Sequence, residues 1–436
     1  MTSRWDAFMS PARIGAPKRR RPDTRLEFEV DHDRIVFSRA FRRLQDKTQV
    51  HPFAENDHVR RRLMHSIEAG SVGRSLGRRV GLALVKAGRT TVEPAEIGQV
   101  VQNACIVHDI GNPSFGHSGE AAICDWFRGE EAEALRVFEG CSALQKSDLQ
   151  TFEGNAHGMR VVTRLENYSN AGGMRLTAAT LGAFLKYPWS SADSRAAGGK
   201  FGFFESERGF VAEFMDECGV FAQGDAWARH PLVYLVEAAD DVCYSLADLE
   251  DGVEIGVLGF ERVEQLLIQF VEDQTAYGAA RDEGRALELL RSAALRAVIP
   301  SLAGHFMEQR EAMEAGEAVA PLLDECEHGA TFRAAQALAE REVFSHPRKV
   351  YAEIGAFKIL SDLLSCYVGA VLESRRDESV NQSARSVHLL RLMGNAAPTE
   401  HMDNPTAIRR VVDYLAGMTD GYASRVHQRI MGSRQR

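Results

Sequence analysis

The chain has 436 residues, 26% charged and 44% hydrophobic, with a formal net charge of -9; it is long enough to bury a large core and negative enough to argue against a nucleic-acid coat. Any anionic ligand would therefore need its own local cluster of Arg and Lys. Seven scattered cysteines without a C-x-x-C pair argue against a zinc ribbon or a disulfide framework.

Residues 1–25 combine Pro11, Pro17 and Pro22 with the basic run from Lys18 to Arg21, which predicts a flexible basic arm. The arm lacks the apolar segment of a signal peptide, and no run of about 18 apolar residues offers a membrane span, so a cytoplasmic protein without membrane association is expected. Ile35, Val36, Phe37, Ala40, Phe41 and Leu44 mark one amphipathic helix, and DKTQVHPF, 46–53, reads as an extended or turn segment. Val59 to Val80 is a predicted helix with Leu63, Met64, Ile67, Val72 and Leu76 on its apolar stripe and with Arg62 and His65 beside it.

A second helix, Glu93 to His108, runs into VHDIGNPSFGHSGE, 107–120, where Asn112 and Pro113 stop it, and Ser118 to Phe127 begins the next. FEGNAHGMR, 152–160, reads as a capped helix start. Leu176 to Tyr187 reads as a helix closed by Pro188, and Ser190 to Phe204 as a surface loop. Pro231 to Gly252 is helical, with Asp240, Tyr244 and Asp248 four residues apart and so on one face. Further helices are predicted at 263–271, 284–298, 331–341, 351–372 and 407–423. Strict alternation is nearly absent, so the expected class is all-α.

His65, the adjacent His108 and Asp109, and Asp240 come from three different helices and together offer two imidazoles and two carboxylates. That set suits one divalent ion with positions left open for water and substrate, as a catalytic site requires; Mn, Mg, Fe, Co, Ni and Zn all tolerate it. His117 and Glu120, just beyond the HD pair, are candidate proton-transfer groups. Spacing alone does not establish that the four ligands converge. Each has an ordinary alternative, a hydrogen-bonded histidine at a helix end or a solvated acidic face.

The order H…HD…D resembles the ligand set of the HD-domain metal-dependent phosphohydrolases. More narrowly, FSRAFRRLQDKTQVHPF, RRRLMHS, HDIGNPSFGHSGE, FEGNAHGMR, LKYPW, EAADDVCYSLADLEDG and DYLAGMTDGYA, in this order from about residue 37 to 423, resemble the bacterial deoxyguanosine triphosphate triphosphohydrolase-like family. The HDIGN-x-x-FGHSGE and AADD-x-x-Y-x-x-x-DLED strings are the specific ones; an HD dipeptide alone is not.

The resemblance implies one helical domain over 26–436, with an HD core at about 59–252, an N-terminal substrate segment and a C-terminal helical region from about 253. It implies metal-dependent hydrolysis of deoxynucleoside triphosphates to deoxynucleoside and inorganic triphosphate. His65, His108, Asp109 and Asp240 become the metal ligands and His117 with Glu120 the catalytic pair. Arg62 becomes a phosphate contact, and Gln49, Tyr244, Asp248 and Tyr414 become sugar contacts. Asn155, Lys186 and Tyr187 match further polar positions. Asp241 departs from the cation that follows the metal Asp in some related enzymes, so phosphate charge must be met elsewhere. A homo-oligomer, up to a hexamer, and a nucleotide or single-stranded DNA effector are also implied. Two other activities fit the same residues: an HD-type deoxynucleoside monophosphate phosphohydrolase, and a nucleotide sensor with weak hydrolysis.

Overall fold

The computed structural model describes residues 3–15, 24–50, 56, 58–166, 172–375 and 382–432. Among them the only sheet is the hairpin of Ala222–Gln223 with Ala226–Trp227, so the protein is all-α as expected. The helices that build the site and its supports are α1 (Arg4–Phe8), α2 (Glu27–Val36), α3 (Arg62–Lys86), α4 (Pro94–Val107), α5 (Gly116–Arg128), α6 (Gly154–Arg160), α7 (Val233–Glu254), α8 (Glu283–Ala315), α9 (Pro347–Glu373), α10 (Asn404–Ala416) and α11 (Asp420–Ile430).

The frame of the site is the pair α3 and α4. Gly70, Gly73, Gly77 and Gly81 recur at three- and four-residue spacing, and α4 lies in the trough they leave. A Cβ at Gly73 would stand 2.5 Å from the Cys105 sulfur, and one at Gly77 2.9 Å from Val101 Cγ2. This close ridge-in-groove packing brings the ends carrying His65 and His108 together. It also turns α3 away from the expected stripe. Met64 and Ile67 are 50% and 46% exposed, while Ala69, Val72, Leu76, Val80 and Leu84 form the buried face.

Apolar side chains gather in two clusters. One takes in α1 to α4, α7 and α8. The other joins one face of α5 to α9, α10 and α11. Residues 108–116 cross from the first to the second.

Four expectations change. Residues 3–15 of the expected flexible arm are ordered: Ser3 and Asp6 cap α1 reciprocally, and Trp5 and Phe8 are buried against Phe306 and His230, with ring centroids 6.1 and 5.3 Å apart. Burial of two aromatics outweighs the proline-rich composition around them. The basic run 18–21 lies outside the described residues, as do 51–53 of DKTQVHPF. The helix expected through 35–44 breaks at Phe37, because the Ser38 hydroxyl accepts from the Phe41 amide at 3.1 Å and starts a new helix. That expected over 407–423 is two helices, α10 and α11, with Thr419 capping the second. Finally, Lys349–Glu373 is long and apolar enough by length and composition to cross a membrane; half of its most apolar window is buried, and it forms the spine of the second cluster.

Candidate active site

The end of α4 delivers the HD pair. His108 is the C-cap, and its Nδ1–H donates to the Cys105 carbonyl at 2.6 Å, which turns Nε2 outward. Nε2 then lies 3.5 Å from Asp109 Oδ1 and 3.4 Å from Asp240 Oδ1. His65 Nε2 is 2.8 Å from that same Asp240 oxygen. Ligand atoms of His65, His108 and Asp109 fall within 4.8 Å of one another, and Asp240 closes the group from α7. The four expected ligands therefore meet.

The donor set fits a divalent ion. Asp109 Oδ2 is buried and, although 2.9 Å from an Arg62 nitrogen, makes no hydrogen bond among the described residues, so a lone pair remains for a cation. Burial would raise both carboxyls; the imidazoles and Arg62 overcome it at Asp109, and the imidazoles hold Asp240 well below the usual range. Burial would likewise depress His108, yet Asp109 and Asp240 lift it to about 9. The cluster is a concentrated negative field that holds a cation of some kind, a proton or a metal.

Beyond the pair the backbone turns sharply. Phe115 and Gly116 both adopt left-handed conformations (φ 65° and 56°), and α5 starts there with His117 as its second residue. The His117 ring is 79% exposed, and its Nδ1 lies 2.8 Å from Glu120 Oε2. Glu120 Oε1 accepts from the Gly154 amide at 2.8 Å. Burial pushes the Glu120 carboxyl up, but the hydrogen bond to His117 and the nearby Lys200 hold it below its ordinary value. A carboxylate thus fixes the imidazole orientation and leaves Nε2 free to exchange a proton.

Metal cluster and dyad line one cavity of about 420 Å³. Gln49, Arg62, Asn155, Lys186, Tyr187 and Tyr244 line it too, as the sequence led us to expect. Gln49 is fixed by a bridge between Thr48 and Arg61, and its Oε1 is buried without a partner among the described residues. Lys186 pairs with Glu237 at 3.6 Å, and that carboxylate outweighs burial to raise the lysine, which stays charged. Asn155 lies at the start of α6, where its amide and side chain donate to Glu153 at 2.6 and 2.9 Å. Asp241, beside Asp240, is pushed by burial and the Asp240 charge to about 7 and contributes no positive charge.

Two expected sugar contacts are not among the residues lining this cavity. Asp248 is 1% exposed, one turn deeper on α7 than Tyr244, with both oxygens unpartnered among the described residues. Tyr414 faces Tyr367, with ring centroids 5.5 Å apart, and donates to the Leu392 carbonyl at 3.3 Å. It borders a second cavity, of about 1710 Å³, because α10 turns that face away from the His65–Asp240 cluster.

Residues 327–429 match the phosphohydrolase-associated domain family. Over 98% of both chains, the protein is 41% identical to a deoxyguanosinetriphosphate triphosphohydrolase-like protein of Pseudomonas aeruginosa. The chain belongs to the deoxyguanosinetriphosphate triphosphohydrolase-like family. A Synechocystis relative of the same name is 37% identical over 98% of this chain and 99% of its own. The deoxyguanosinetriphosphate triphosphohydrolase of Klebsiella pneumoniae is 32% identical over 97% and 96%.

Some cavity residues of this family member escaped the sequence reading. Lys200, in the stretch read as a surface loop, reaches Glu153 at 3.1 Å and Glu120 at 4.0 Å. Its loop is anchored by Phe201, Phe203 and Phe204, all buried, and by the Trp189 indole donating to the Lys200 carbonyl at 2.8 Å. Three phenylalanines within four residues were the available signal against a solvated loop. Phe344, Lys349 and Glu353 enter from the phosphohydrolase-associated region, for which no local motif gave notice. His157, a polar member of FEGNAHGMR, is structural: burial lowers it to about 4, and its Nδ1 donates to the Gly111 carbonyl at 2.8 Å.

Proposed function

We propose that the protein hydrolyses deoxynucleoside triphosphates to deoxynucleoside and inorganic triphosphate, with one divalent ion held by His65, His108, Asp109 and Asp240. The observation that carries this reading is the joining of that four-residue cluster to the His117–Glu120 dyad in a single cavity that also holds Lys186 and Lys200. Family membership and the names of these relatives support the substrate class. Mn, Mg, Fe, Co, Ni and Zn all suit the mixed ligands.

When bound, the ion supplies Lewis-acid polarisation of a phosphate oxygen and acidifies water. The chain's own residues do the rest. Lys186, Lys200 and the Arg62 guanidinium offset the negative charge of the triphosphate, the duty Asp241 cannot serve. Asn155 and Tyr187 supply polar atoms beside them. His117 exchanges a proton through Nε2, at the nucleophile or at the leaving 5′ oxygen, while Glu120 keeps the ring aligned. Tyr244 packs on the sugar, and the unpartnered Gln49 Oε1 accepts from its hydroxyl. An aromatic face close to C2′ leaves no room for a ribose hydroxyl.

The same reading takes the chain from residue 26 as one helical unit working in the cytoplasm, which its seven unpaired cysteines suit. Association into a homo-oligomer, up to a hexamer, belongs to it, and the exposed Phe37, Tyr351 and Ile354 support that step. A nucleotide or single-stranded DNA effector also belongs to it. The second cavity supports this, being lined by arginines that include Arg39, Arg43, Arg164 and Arg410.

The test is to incubate metal-loaded protein with each of the four dNTPs, singly and mixed, and with the monophosphates, and to resolve the products. Deoxynucleoside plus triphosphate is the expected outcome. Orthophosphate from a monophosphate, or tight binding without turnover, would replace the reading with a monophosphatase or a sensor.

A further inference from the structure

Two buried charged side chains tie the metal-bearing loop to the C-terminal region. Lys47, 3% exposed, donates from Nζ to the Asn112 carbonyl and to the Ala416 carbonyl at the end of α10. Asp420, the first residue of α11 and also 3% exposed, has each carboxylate oxygen on a different backbone amide: Phe115 at 2.8 Å and Thr48 at 2.9 Å.

Those two amides belong to residues that both line the catalytic cavity, from two separate segments of the chain. Thr48 immediately precedes Gln49. Phe115 begins the left-handed turn from which His117 projects, a conformation that a bulky residue keeps only when its surroundings impose it. A carboxylate is an acceptor at both oxygens and therefore satisfies two N–H donors from two segments at once. The neighbouring Lys47 does the complementary work with two carbonyls. Neither residue is among those lining the cavity.

We propose that Asp420 is a positioning residue of this site: its carboxylate fixes the spacing between the Gln49 segment and the turn that delivers His117. The functional meaning of that spacing rests on the triphosphohydrolase reading. The tie itself rests on the two hydrogen bonds. It gives the phosphohydrolase-associated region a part in aligning the dyad from outside the cavity.

The decisive variant is Asp420→Asn, which preserves size but turns one acceptor oxygen into an amide that meets a backbone N–H donor to donor. Asp420→Glu keeps the charge and displaces it by about 1.5 Å, so it serves if the first fails to fold. Ser424→Ala, on the same helix, is the control, since its hydroxyl only returns to the Asp420 carbonyl. On metal-loaded full-length protein we would measure metal content, kcat and KM for a dNTP, and amide exchange of segments 46–50 and 112–118.

The expected result is metal content as in the parent, faster exchange in both segments together, and kcat about 10- to 100-fold lower. Three results would overturn the proposal: unchanged exchange and kcat, loosening of one segment alone, or protection lost evenly through α3 and α4. If the parent protein hydrolyses no dNTP, the functional reading fails, and the exchange data alone still decide whether Asp420 ties the two segments.

Discussion

Adding one methyl group at Gly154 should silence the enzyme while barely altering its stability. A Cβ there would stand 2.5 Å from Glu120 Oε1 and 2.7 Å from Asn112 Oδ1, where ordinary contact begins at 3.4 Å. Both atoms end side chains that can retreat, so the fold can absorb the methyl. Overpacking costs about 1–3 kcal/mol, and replacing glycine by alanine in a helix returns up to about 1 kcal/mol. The net loss is therefore about 1 kcal/mol, a few degrees in Tm for a chain of this size at most. Retreat by nearly 1 Å, however, pulls Glu120 off the His117 Nδ1–H and loosens Asn112, whose amide supports Asp109. Misplacement on that scale lowers rates by about 100-fold. The assay is triphosphate release from a dNTP by Gly154→Ala, alongside a thermal melt. A kcat within threefold of the parent would refute the argument that this glycine exists to let two catalytic supports pass.

Removing ligands and dyad should separate two functions. Asp240→Ala is expected to lose both metal and turnover, whereas His117→Ala should keep its metal and lose most turnover; metal content by elemental analysis beside a rate assay checks both, and full activity in either variant rejects that residue's role. Tyr244→Ala, which removes the ring packed 5.7 Å from Phe344, should shrink the preference for dNTPs over ribonucleotides by about 10-fold or more, read as the ratio of kcat/KM values. His230 makes stability depend on acid. Its Nε2–H donates to the Phe8 carbonyl at 3.0 Å, its Nδ1 accepts from the Leu232 amide at 3.2 Å, and burial holds the ring down at about 4. Because the folded group binds its proton later than the unfolded one at about 6.5, the unfolded chain gains protons first as pH falls. Stability is then lost between about pH 6.5 and 4, by about 3 kcal/mol. Urea unfolding at pH 7.5 and 4.5 should show a smaller drop in His230→Gln than in the parent; equal drops would remove His230 as the cause.

The convergence of His65, His108, Asp109 and Asp240 was legible because their residue types carry chemistry wherever they fall, and because the loop between His108 and Glu120 has a rigid local grammar of Gly, Asn and Pro. What spacing could not supply was facing. Met64 and Ile67 look like core residues on a helical wheel, yet a glycine ridge one face away binds α3 to α4 and leaves them in water. Asp248 shares a face with Asp240 and Tyr244, but α7 sinks into the core along its length, so the third member of the row lies below the cavity. Tyr414 lies on the face of α10 that borders the second cavity rather than the one holding Gln49 and Tyr244, a difference of facing that its motif does not carry. Lys200 and Lys349 depend on long-range packing of loops and helices that carry no signature of their own. Trp5 and Phe8 were read as part of an arm although the Ser3–Asp6 capping pair was there to be seen.

The crossing of residues 108–116 between the two apolar clusters has a further consequence. Of the four residues proposed as metal ligands, His65 and Asp240 lie on α3 and α7 and His108 caps α4 with Asp109 next to it, all helices of the first cluster, whereas the helix bearing His117 and Glu120 has its apolar face in the second. The proposed ion site and proton-transfer dyad thus rest on two different packed blocks, and the spacing between them depends on how those blocks meet. Warming that loosens the junction before either block melts would detune chemistry while the metal stays bound, so loss of rate would precede loss of structure on heating.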